Sequence, residues 1–241
     1  MTTNQSTTEG TRAIVWDLDG VLVDSAAAHN LSWQTMSERF GVAYDPDKDF
    51  PSIFGKHNTD IMDMLWQITD PARVAEMAEA KEMAFRREAT QLKPLPGVVE
   101  LVQELARRGW KQAIGSSAPM SNIRVLLDAT GVGPYMQAIA SGDDVTAGKP
   151  DPQVFLIAFE RLGVSPWNGV VIEDAPAGIQ AGVRAGAATL GVTTTQTVEA
   201  LQSAGADRVV ASLVDVTVDE LEELVRVHQS KNRGSAGTST K

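Results

Sequence analysis

Short apolar runs alternate with segments of helical periodicity along most of this chain. The runs are rich in Val, Ile and Ala, which is typical of strands buried on both faces of a parallel sheet. The segments between them repeat apolar residues every three or four positions, as amphipathic helices do. We predict strands at 13–16, 112–115, 138–140, 170–172, 187–192 and 209–211. The alternation predicts an α/β fold in which helices cover a parallel sheet.

Capping residues mark the ends of several predicted helices. Asp151 and Pro152 are predicted as the N-cap and the first residue of one helix that stops at Gly163. Gly97 opens another, which ends at Gly109. The remaining signals are Gly41, Gly55, Asp70 with Pro71, and the capping-box pair Thr217 with Glu220.

The alternation is interrupted once, over residues 25–92, which contain no strand-like run and are predicted to be wholly helical. The simplest organisation is an α/β core, formed by 11–24 and 93–229, with a helical insert after its first strand. Residues 1–10 and 230–241 are rich in Ser, Thr and Gly, and we predict that both are disordered, frayed tails.

Composition narrows the functional classes. The chain has no cysteine, which excludes disulfides, thiol nucleophiles and Cys-based metal centres. Its net charge of −10 argues against nucleic acid or an anionic membrane as a partner. The first ten residues are polar and no apolar run reaches membrane-spanning length. We therefore expect a cytoplasmic protein, monomeric or weakly dimeric, that acts on a small molecule.

The richest candidate chemistry lies at the end of the first predicted strand, in Asp17-Leu18-Asp19-Gly20. Strand side chains alternate with period two, so both carboxylates can point the same way. Close carboxylates repel, share a proton or hold a divalent cation. An Asp-x-Asp is also compatible with an ordinary turn at a strand end.

Other polar residues follow later strands, and ligands of doubly wound sheets sit beyond the carboxyl ends of the strands. Ser116 and the pair Glu173-Asp174 come directly after predicted strands, and Lys149 lies in a loop before a helix. Each has a structural alternative: Ser116 as a loop former, Lys149 as a solvated surface charge, and the acidic pair as favourable charge at a helix N-terminus. Together they predict one site.

The residue types suggest phosphoryl transfer. Asp17 is predicted to attack phosphorus, and Asp19 to protonate the leaving oxygen and then deprotonate water. Ser116, with Ser117 beside it, and Lys149 are predicted to bind phosphoryl oxygens. The predicted Mg²⁺ ligands are Asp17, Asp174, Asp19 through its backbone carbonyl, and Glu173 as part of the same acidic set.

Other catalytic motifs are absent from the sequence. Gly148-Lys149 lacks the upstream Gly and the following Ser or Thr of a P-loop, and no strand is followed by Gly-x-Gly-x-x-Gly. The chain has no Gly-x-Ser-x-Gly elbow. His29, His57 and His228 do not have the spacing of zinc ligands.

At these motifs the chain resembles the haloacid dehalogenase superfamily of phosphohydrolases and phosphomutases. The four matching segments are residues 17–25, 114–116, 148–152 and 171–179, and the likeness spans about 12–226. The resemblance implies a Rossmannoid core, Mg²⁺, an aspartyl-phosphate intermediate and a mobile helical cap, which 25–92 match in position. Dehalogenases and phosphonate-cleaving relatives lack an acid/base at the Asp19 position. Small-molecule phosphatases and β-phosphoglucomutase-like enzymes remain.

The helical segment is expected to set substrate specificity. His29 begins an apolar stripe on one helix, and Lys81 interrupts another stripe. Without the resemblance, His29 is a partly buried packing residue and Lys81 a side chain that snorkels to solvent. In β-phosphoglucomutase relatives, their equivalents lie near the catalytic acid. Such mutases carry an Arg after Gly55 that grips a second phosphate, whereas here Asn58 is nearest to that position and Lys56 precedes it.

Three functional hypotheses follow. The first is a Mg²⁺-dependent phosphatase acting on a sugar or polyol phosphate, and the second is a β-phosphoglucomutase-like isomerase with the same Asp17 chemistry. The third is a catalytically silent binding domain, although such proteins usually lose a motif carboxylate and this chain keeps all of them.

Overall fold

The computed structural model of the protein describes residues 10–53 and 58–236, with side chains up to residue 231. Its strands are β1 Ala13–Trp16, β2 Lys111–Gly115, β3 Ala138–Ala140, β4 Gly169–Glu173, β5 Ala188–Val192 and β6 Arg208–Val210. Its α-helices are α1 Ala26–Phe40, α2 Phe50–Ile53, α3 Asn58–Trp66, α4 Pro71–Ala89, α5 Val98–Arg107, α6 Met120–Thr130, α7 Gln153–Leu162, α8 Pro176–Ala185, α9 Val198–Ser203 and α10 Val218–Ala236.

The strands form one parallel sheet in the order β3-β2-β1-β4-β5-β6, which confirms the predicted α/β fold. β1 lies between β2 and β4, and its residues are fully buried because helices cover both faces. The bounds of β1 and β3 match the prediction. The other strands differ by one residue at one end (β2 and β5) or at both ends (β4 and β6), because ladder hydrogen bonds extend past the apolar run or stop short of it. In β4 this brings Glu173 into the strand, paired with Gly191 of β5.

Alternate residues of β1 face two different hydrophobic layers. Ile14 and Trp16 pack with residues of α5, α6 and α10. Ala13 and Val15 pack with α7 and α8, where Phe155 supplies a large buried ring. The period of two along the strand therefore places one helical layer on each side of the sheet.

Helices α1 to α4, which we call the cap helices, lie between β1 and β2 in sequence, and no strand interrupts the described part of residues 26–89. They bury a cluster of their own, with Trp33, Met36 and Met77 at its centre. α4 also reaches the main core through Phe85. The predicted domain limits at 24/25 and 92/93 stay a prediction.

Helix ends agree with several capping predictions and correct others. Asp70 accepts a hydrogen bond from the Arg73 N–H at 2.8 Å, and Gly41 ends α1 in a left-handed conformation. Thr217 and Glu220 form the predicted reciprocal bonds, 3.0 and 3.3 Å long. Gly55 lies outside the described residues.

Two predicted helix boundaries are wrong by one or two residues, and a helix extends into the predicted C-terminal tail. α7 begins at Gln153, with Pro152 at its N-cap, although Asp151 still accepts from the Gln153 N–H at 3.0 Å. α5 ends at Arg107, two residues before the predicted Gly109. α10 continues to Ala236, whereas a frayed tail was predicted from residue 230. Within the described ranges, no helix is both long and apolar enough to cross a bilayer.

Candidate active site

Three of the predicted acidic residues meet at the carboxyl edge of the sheet. Asp17 follows β1, Glu173 ends β4, and Asp174 comes next. The Asp17 N–H donates to the Ile172 carbonyl at 2.9 Å, which holds the two strand ends side by side. One oxygen from each carboxylate lies within 4.8 Å of the others, and all three residues are buried. The convergence predicted from strand ends is therefore present.

Lys149 is the cation at the centre of this acidic group. Its Nζ donates to Asp17 Oδ1 at 2.5 Å, to Glu173 Oε1 at 2.8 Å and to the Gly115 carbonyl at 3.1 Å. Its side chain is only 9% exposed and lies over the Phe155 ring. The alternative of a solvated surface lysine is therefore wrong.

The buried charges do not balance, because three carboxylates face one ammonium. Burial, and then the charges of Glu173 and Asp174, raise the pKa of Asp17 despite the opposing effect of Lys149. Burial and the charge of Glu173 likewise raise the pKa of Asp174 to about 7. Clustered carboxylate oxygens are the donors that hard divalent cations prefer. The donor set and its excess negative charge thus fit a metal ion.

Glu173 and the following Asp174 differ in how much of their hydrogen-bonding capacity is used. Glu173 Oε2 accepts from the N–H groups of Asp174 and Ala175 at 2.8 and 2.9 Å, while its other oxygen binds Lys149. Asp174 accepts from the Thr195 hydroxyl. Glu173 therefore helps to shape the loop before α8 and to anchor Lys149, and Asp17 and Asp174 are the better candidates for direct ligation.

Two glycines leave the space that these carboxylates occupy. A Cβ on Gly20, which has φ +78°, would lie 2.1 Å from Asp174 Oδ2. A Cβ on Gly178 would lie 1.7 Å from Glu173 Oε1. Both distances are far below van der Waals contact, so a side chain at either position must displace a carboxylate.

We expect Gly178→Ala to reduce both stability and activity. The added methyl displaces the Glu173 carboxylate, which then loses its bond to Lys149, and overpacking of this kind costs about 1–3 kcal/mol. Thermal unfolding and turnover of p-nitrophenyl phosphate measure the two effects. Gly133→Ala is the matched control, because its Cβ would meet Leu127 at an ordinary 3.5 Å. Equal behaviour of the two variants would contradict the expectation.

The carboxylate of Asp19 faces the cap helices. It accepts a hydrogen bond from the Ser25 hydroxyl, and Asp19 Oδ1 lies 3.6 Å from His29 Nε2. Burial alone would raise the pKa of Asp19, but the hydrogen bonds from His29 and Ser25 lower it. This carboxylate lies outside the acidic group of Asp17, so only the backbone carbonyl of Asp19 stays a predicted metal ligand.

The predicted phosphate-binding serines lie at the end of β2. Ser116 is buried, and its N–H donates to the Ala140 carbonyl at 3.1 Å. Its hydroxyl oxygen accepts from the Ala118 N–H at 3.1 Å, which leaves the hydroxyl proton to be donated. Ser116, Ser117 and Lys149 line the same cavity as Asp17.

This cavity, of about 380 Å³, lies between the sheet edge and the cap helices. Its floor carries the acidic group and Lys149. Its apolar wall consists of Trp33, Phe50, Ile53 and Ile61. The remaining polar lining residues from the cap helices and α6 are His29, Asn58, Lys81, Glu82 and Asn122.

The two cap residues singled out by sequence are both in the cavity wall. The His29 ring stacks on Phe85, with centroids 4.1 Å apart. Lys81 Nζ lies 3.1 Å from His29 Nδ1. When Lys81 donates to Nδ1, the proton of a neutral His29 ring sits on Nε2 and faces Asp19. Lys81 is 3% exposed, so it does not snorkel to solvent.

Four polar residues that line the cavity were not predicted from the sequence: Glu82, Asn122, Thr195 and Gln196. Asn58, which was predicted as a cap residue of the site, donates to Glu82 Oε1 at 2.8 Å. Asn122 donates to the other oxygen of Glu82. Thr195 was also missed, although its place just after the predicted fifth strand is a usable signal. Lys56 lies outside the described residues.

Comparisons with known proteins agree with this geometry. A family model of haloacid dehalogenase-like hydrolases matches residues 11–186. The chain is 31% identical to validoxylamine A 7'-phosphate phosphatase of Streptomyces hygroscopicus subsp. limoneus, over 85% of this chain and 95% of the relative. It is 30% identical to hexitol phosphatase A of Escherichia coli (strain K12), over 90% and 95%. The crystal structure of β-phosphoglucomutase from Clostridium difficile is 25% identical, with a TM-score of 0.78, covering 90% of this chain and 98% of that one.

Proposed function

This chain belongs to the haloacid dehalogenase-like hydrolase family, and from that premise we propose that it is a phosphatase for a small sugar or polyol phosphate. The observation that carries the proposal is the position of Asp17, at the carboxyl end of β1 with one oxygen on Lys149 and close to Glu173 and Asp174. The similar proteins named as phosphatases of phosphorylated carbohydrate-like compounds support the substrate class.

In the proposed reaction, an Asp17 oxygen attacks phosphorus and forms an aspartyl-phosphate while the bond to the leaving oxygen breaks. Asp19 must carry a proton when the substrate is bound; it gives that proton to the leaving oxygen and then takes one from water, which attacks the phosphorus and releases Asp17. Ser116 and Lys149 bind the phosphoryl oxygens and hold them in place as charge shifts between attacking and leaving atoms.

We propose Mg²⁺ as the cofactor, since haloacid dehalogenase-like hydrolases generally use it and the acidic group supplies oxygen donors. Asp17, Asp174 and the backbone carbonyl of Asp19 would hold the ion. When bound, it offsets the repulsion between an anionic nucleophile and an anionic substrate. Glu173 keeps its contacts to Lys149 and to the loop before α8.

Mg²⁺ is expected to stabilise the protein more at pH 8 than at pH 5. The raised pKa values of Asp17 and Asp174 mean that the metal-free folded state binds protons which the unfolded state releases. The metal-free protein therefore loses stability as pH rises from about 4 to about 7. At pH 8 the ion relieves this repulsion, whereas at pH 5 it must first displace protons.

The measurement is the shift in Tm on adding Mg²⁺ at each pH. K⁺ at matched ionic strength is the control for general screening. A Mg²⁺-induced shift that is the same at both pH values would contradict the assignment of the ion to these carboxylates.

The proposed activity is tested by phosphate release over a panel of sugar and polyol monophosphates with Mg²⁺. We expect turnover of several members, at rates that depend on the sugar because the cap helices line the cavity. No release from any member, nor from p-nitrophenyl phosphate, would instead support a silent binding domain.

A second candidate is β-phosphoglucomutase-like transfer, which is favoured by the contact of His29 with both Asp19 and Lys81. The two activities differ in whether water or a sugar hydroxyl accepts the phosphoryl group. β-Glucose 1-phosphate with a trace of glucose 1,6-bisphosphate separates them. The mutase yields glucose 6-phosphate, and the phosphatase yields free phosphate.

A further inference from the structure

A buried ion pair lies in the wall of the cavity that also holds the acidic group. Lys81 Nζ and Glu82 Oε1 are 3.0 Å apart, and the two side chains are 4% and 10% exposed. Both residues line the cavity. An ion pair so far out of water keeps its attraction largely unscreened, so each charge strongly affects any ligand nearby.

Glu82 is fixed in place from three directions. Its Oε1 accepts from Lys81 and from Asn58 Nδ2 of α3, the latter at 2.8 Å. Its Oε2 accepts from Asn122 Nδ2 of α6 at 2.6 Å. Burial would raise the pKa of Glu82, but Lys81 and the two amide donors lower it. Glu82 therefore places a permanent negative charge in the wall.

The partner amide on α6 is itself held at both ends by α4. Asn122 donates to Glu82, and its Oδ1 accepts from Arg86 Nη1 at 3.3 Å. Arg86 lies one helical turn after Glu82, and it is anchored by Glu79 at 2.7 Å. Glu82 therefore cannot turn away from the cavity without breaking this clamp between α4 and α6.

Among the described cap residues that line the cavity, the charges of Lys81 and Glu82 cancel. Lys81 is the lysine contributed to the cavity by the described cap residues, and Glu82 already neutralises it. A second phosphate at this wall would meet the Glu82 carboxylate, and like charges held together cost several kcal/mol. A neutral hydroxyl group would instead find acceptor lone pairs on Glu82 and Asn58, next to apolar Trp33 and Ile53.

We propose that Glu82 is a specificity-determining residue that restricts the site to monophosphates with an uncharged, hydroxyl-bearing remainder and disfavours bisphosphates. The inference rests on the proposed phosphatase function and deepens it.

The test measures competitive inhibition of p-nitrophenyl phosphate turnover by fructose 1-phosphate and by fructose 1,6-bisphosphate. We expect Glu82→Gln to lower the ratio of the bisphosphate Ki to the monophosphate Ki by about tenfold, because Lys81 loses its counterion. The assay is run at about pH 6.5, since burial lowers the pKa of Lys81 and Glu82 opposes that shift. A general loss of binding or activity changes both Ki values alike, so it does not alter their ratio.

Two further variants separate charge from structure. Lys81→Gln leaves Glu82 uncompensated and is expected to raise the Ki ratio, and the double variant with both Gln residues returns it towards the wild-type value. Glu76→Gln makes the same charge change on the exposed face of α4, beside Arg73, and should not alter the ratio. Should Glu82→Gln fail to fold, Lys81→Gln still shows whether the charge of Glu82 raises the ratio of the bisphosphate Ki to the monophosphate Ki.

An unchanged ratio in Glu82→Gln, or an equal rise of both Ki values, would overturn the inference and leave Glu82 a structural residue. An unchanged ratio in Lys81→Gln would do the same. Absence of p-nitrophenyl phosphate turnover in the wild-type protein would instead overturn the proposed function, so the two failures are distinguishable.

Discussion

Asp17→Asn is expected to abolish turnover while the protein stays folded. The amide is neither a nucleophile nor a full metal ligand, and removing a covalent nucleophile lowers kcat by about 10⁴-fold or more. The fold should tolerate the change, because a neutral group relieves the repulsion that raises the pKa of Asp17. Lys149 keeps Glu173 and the Gly115 carbonyl as partners.

The measurements are kcat for p-nitrophenyl phosphate and Tm without metal. Asp128→Asn, the same substitution on the exposed side of α6, is the matched control and should retain both. Activity of Asp17→Asn near that of the wild-type protein would rule out the covalent mechanism. A large loss of Tm would mean that Asp17 acts mainly in stability.

Asp19→Asn is expected to slow the reaction according to the leaving group. A general acid contributes about 10²–10⁴-fold, mostly for a poor leaving group such as a sugar hydroxyl. p-Nitrophenolate leaves without a proton, so its release should be affected far less. The same variant cannot deprotonate water, so the phosphorylated form of Asp17 should accumulate with p-nitrophenyl phosphate.

Rapid-quench kinetics with both substrates, and mass spectrometry for one added phosphoryl group, measure these effects. Ser25→Ala is the comparison variant, because it removes only the hydroxyl that donates to Asp19 and keeps the carboxylate. Ser25→Ala should lower the rate of sugar phosphate turnover less than Asp19→Asn does. An equal fall in the rate of Asp17 phosphorylation by sugar phosphate and by p-nitrophenyl phosphate in Asp19→Asn would contradict an acid role.

The sheet was predictable because its strands are buried on both faces. A short, continuous apolar run such as Ala13–Trp16, bounded by polar residues, is typical of a strand that is covered on both faces. The strand ends were less predictable, because pairing depends on the neighbour. Gly169 joins β4 by pairing with Ala13, which no local apolar pattern indicates.

The floor of the site was also predictable, for a related reason. In a parallel sheet the carboxyl ends of all strands lie at one edge, so the order of strands and polar residues along the chain is enough to bring them together. Asp17, Glu173 and Asp174 followed from that rule, and Lys149 was assigned to the same edge from its place in a loop before a helix. All four meet within hydrogen-bonding or ligation distance.

The contacts on the cap side of the cavity could not be predicted by a rule of this kind. Helical periodicity placed Lys81 on an apolar stripe but left open whether it reaches solvent, because that depends on what packs against the stripe. Lys81 stays buried because it pairs with Glu82, which Asn58 and Asn122 hold in place. Asn122 is 40 residues from Glu82. Contacts between different helices follow no fixed sequence separation, so no pattern along the chain predicts them.

By itself, then, the sequence determined the layered sheet, the strand-end carboxylates and the lysine among them, since each depends on local order along one strand or loop. Only the tertiary structure decided that Ser25 donates to Asp19, and that Glu82 neutralises Lys81 inside the cavity. Those choices depend on how the cap helices pack over the sheet edge, where burial fixes side chains that would otherwise remain in water.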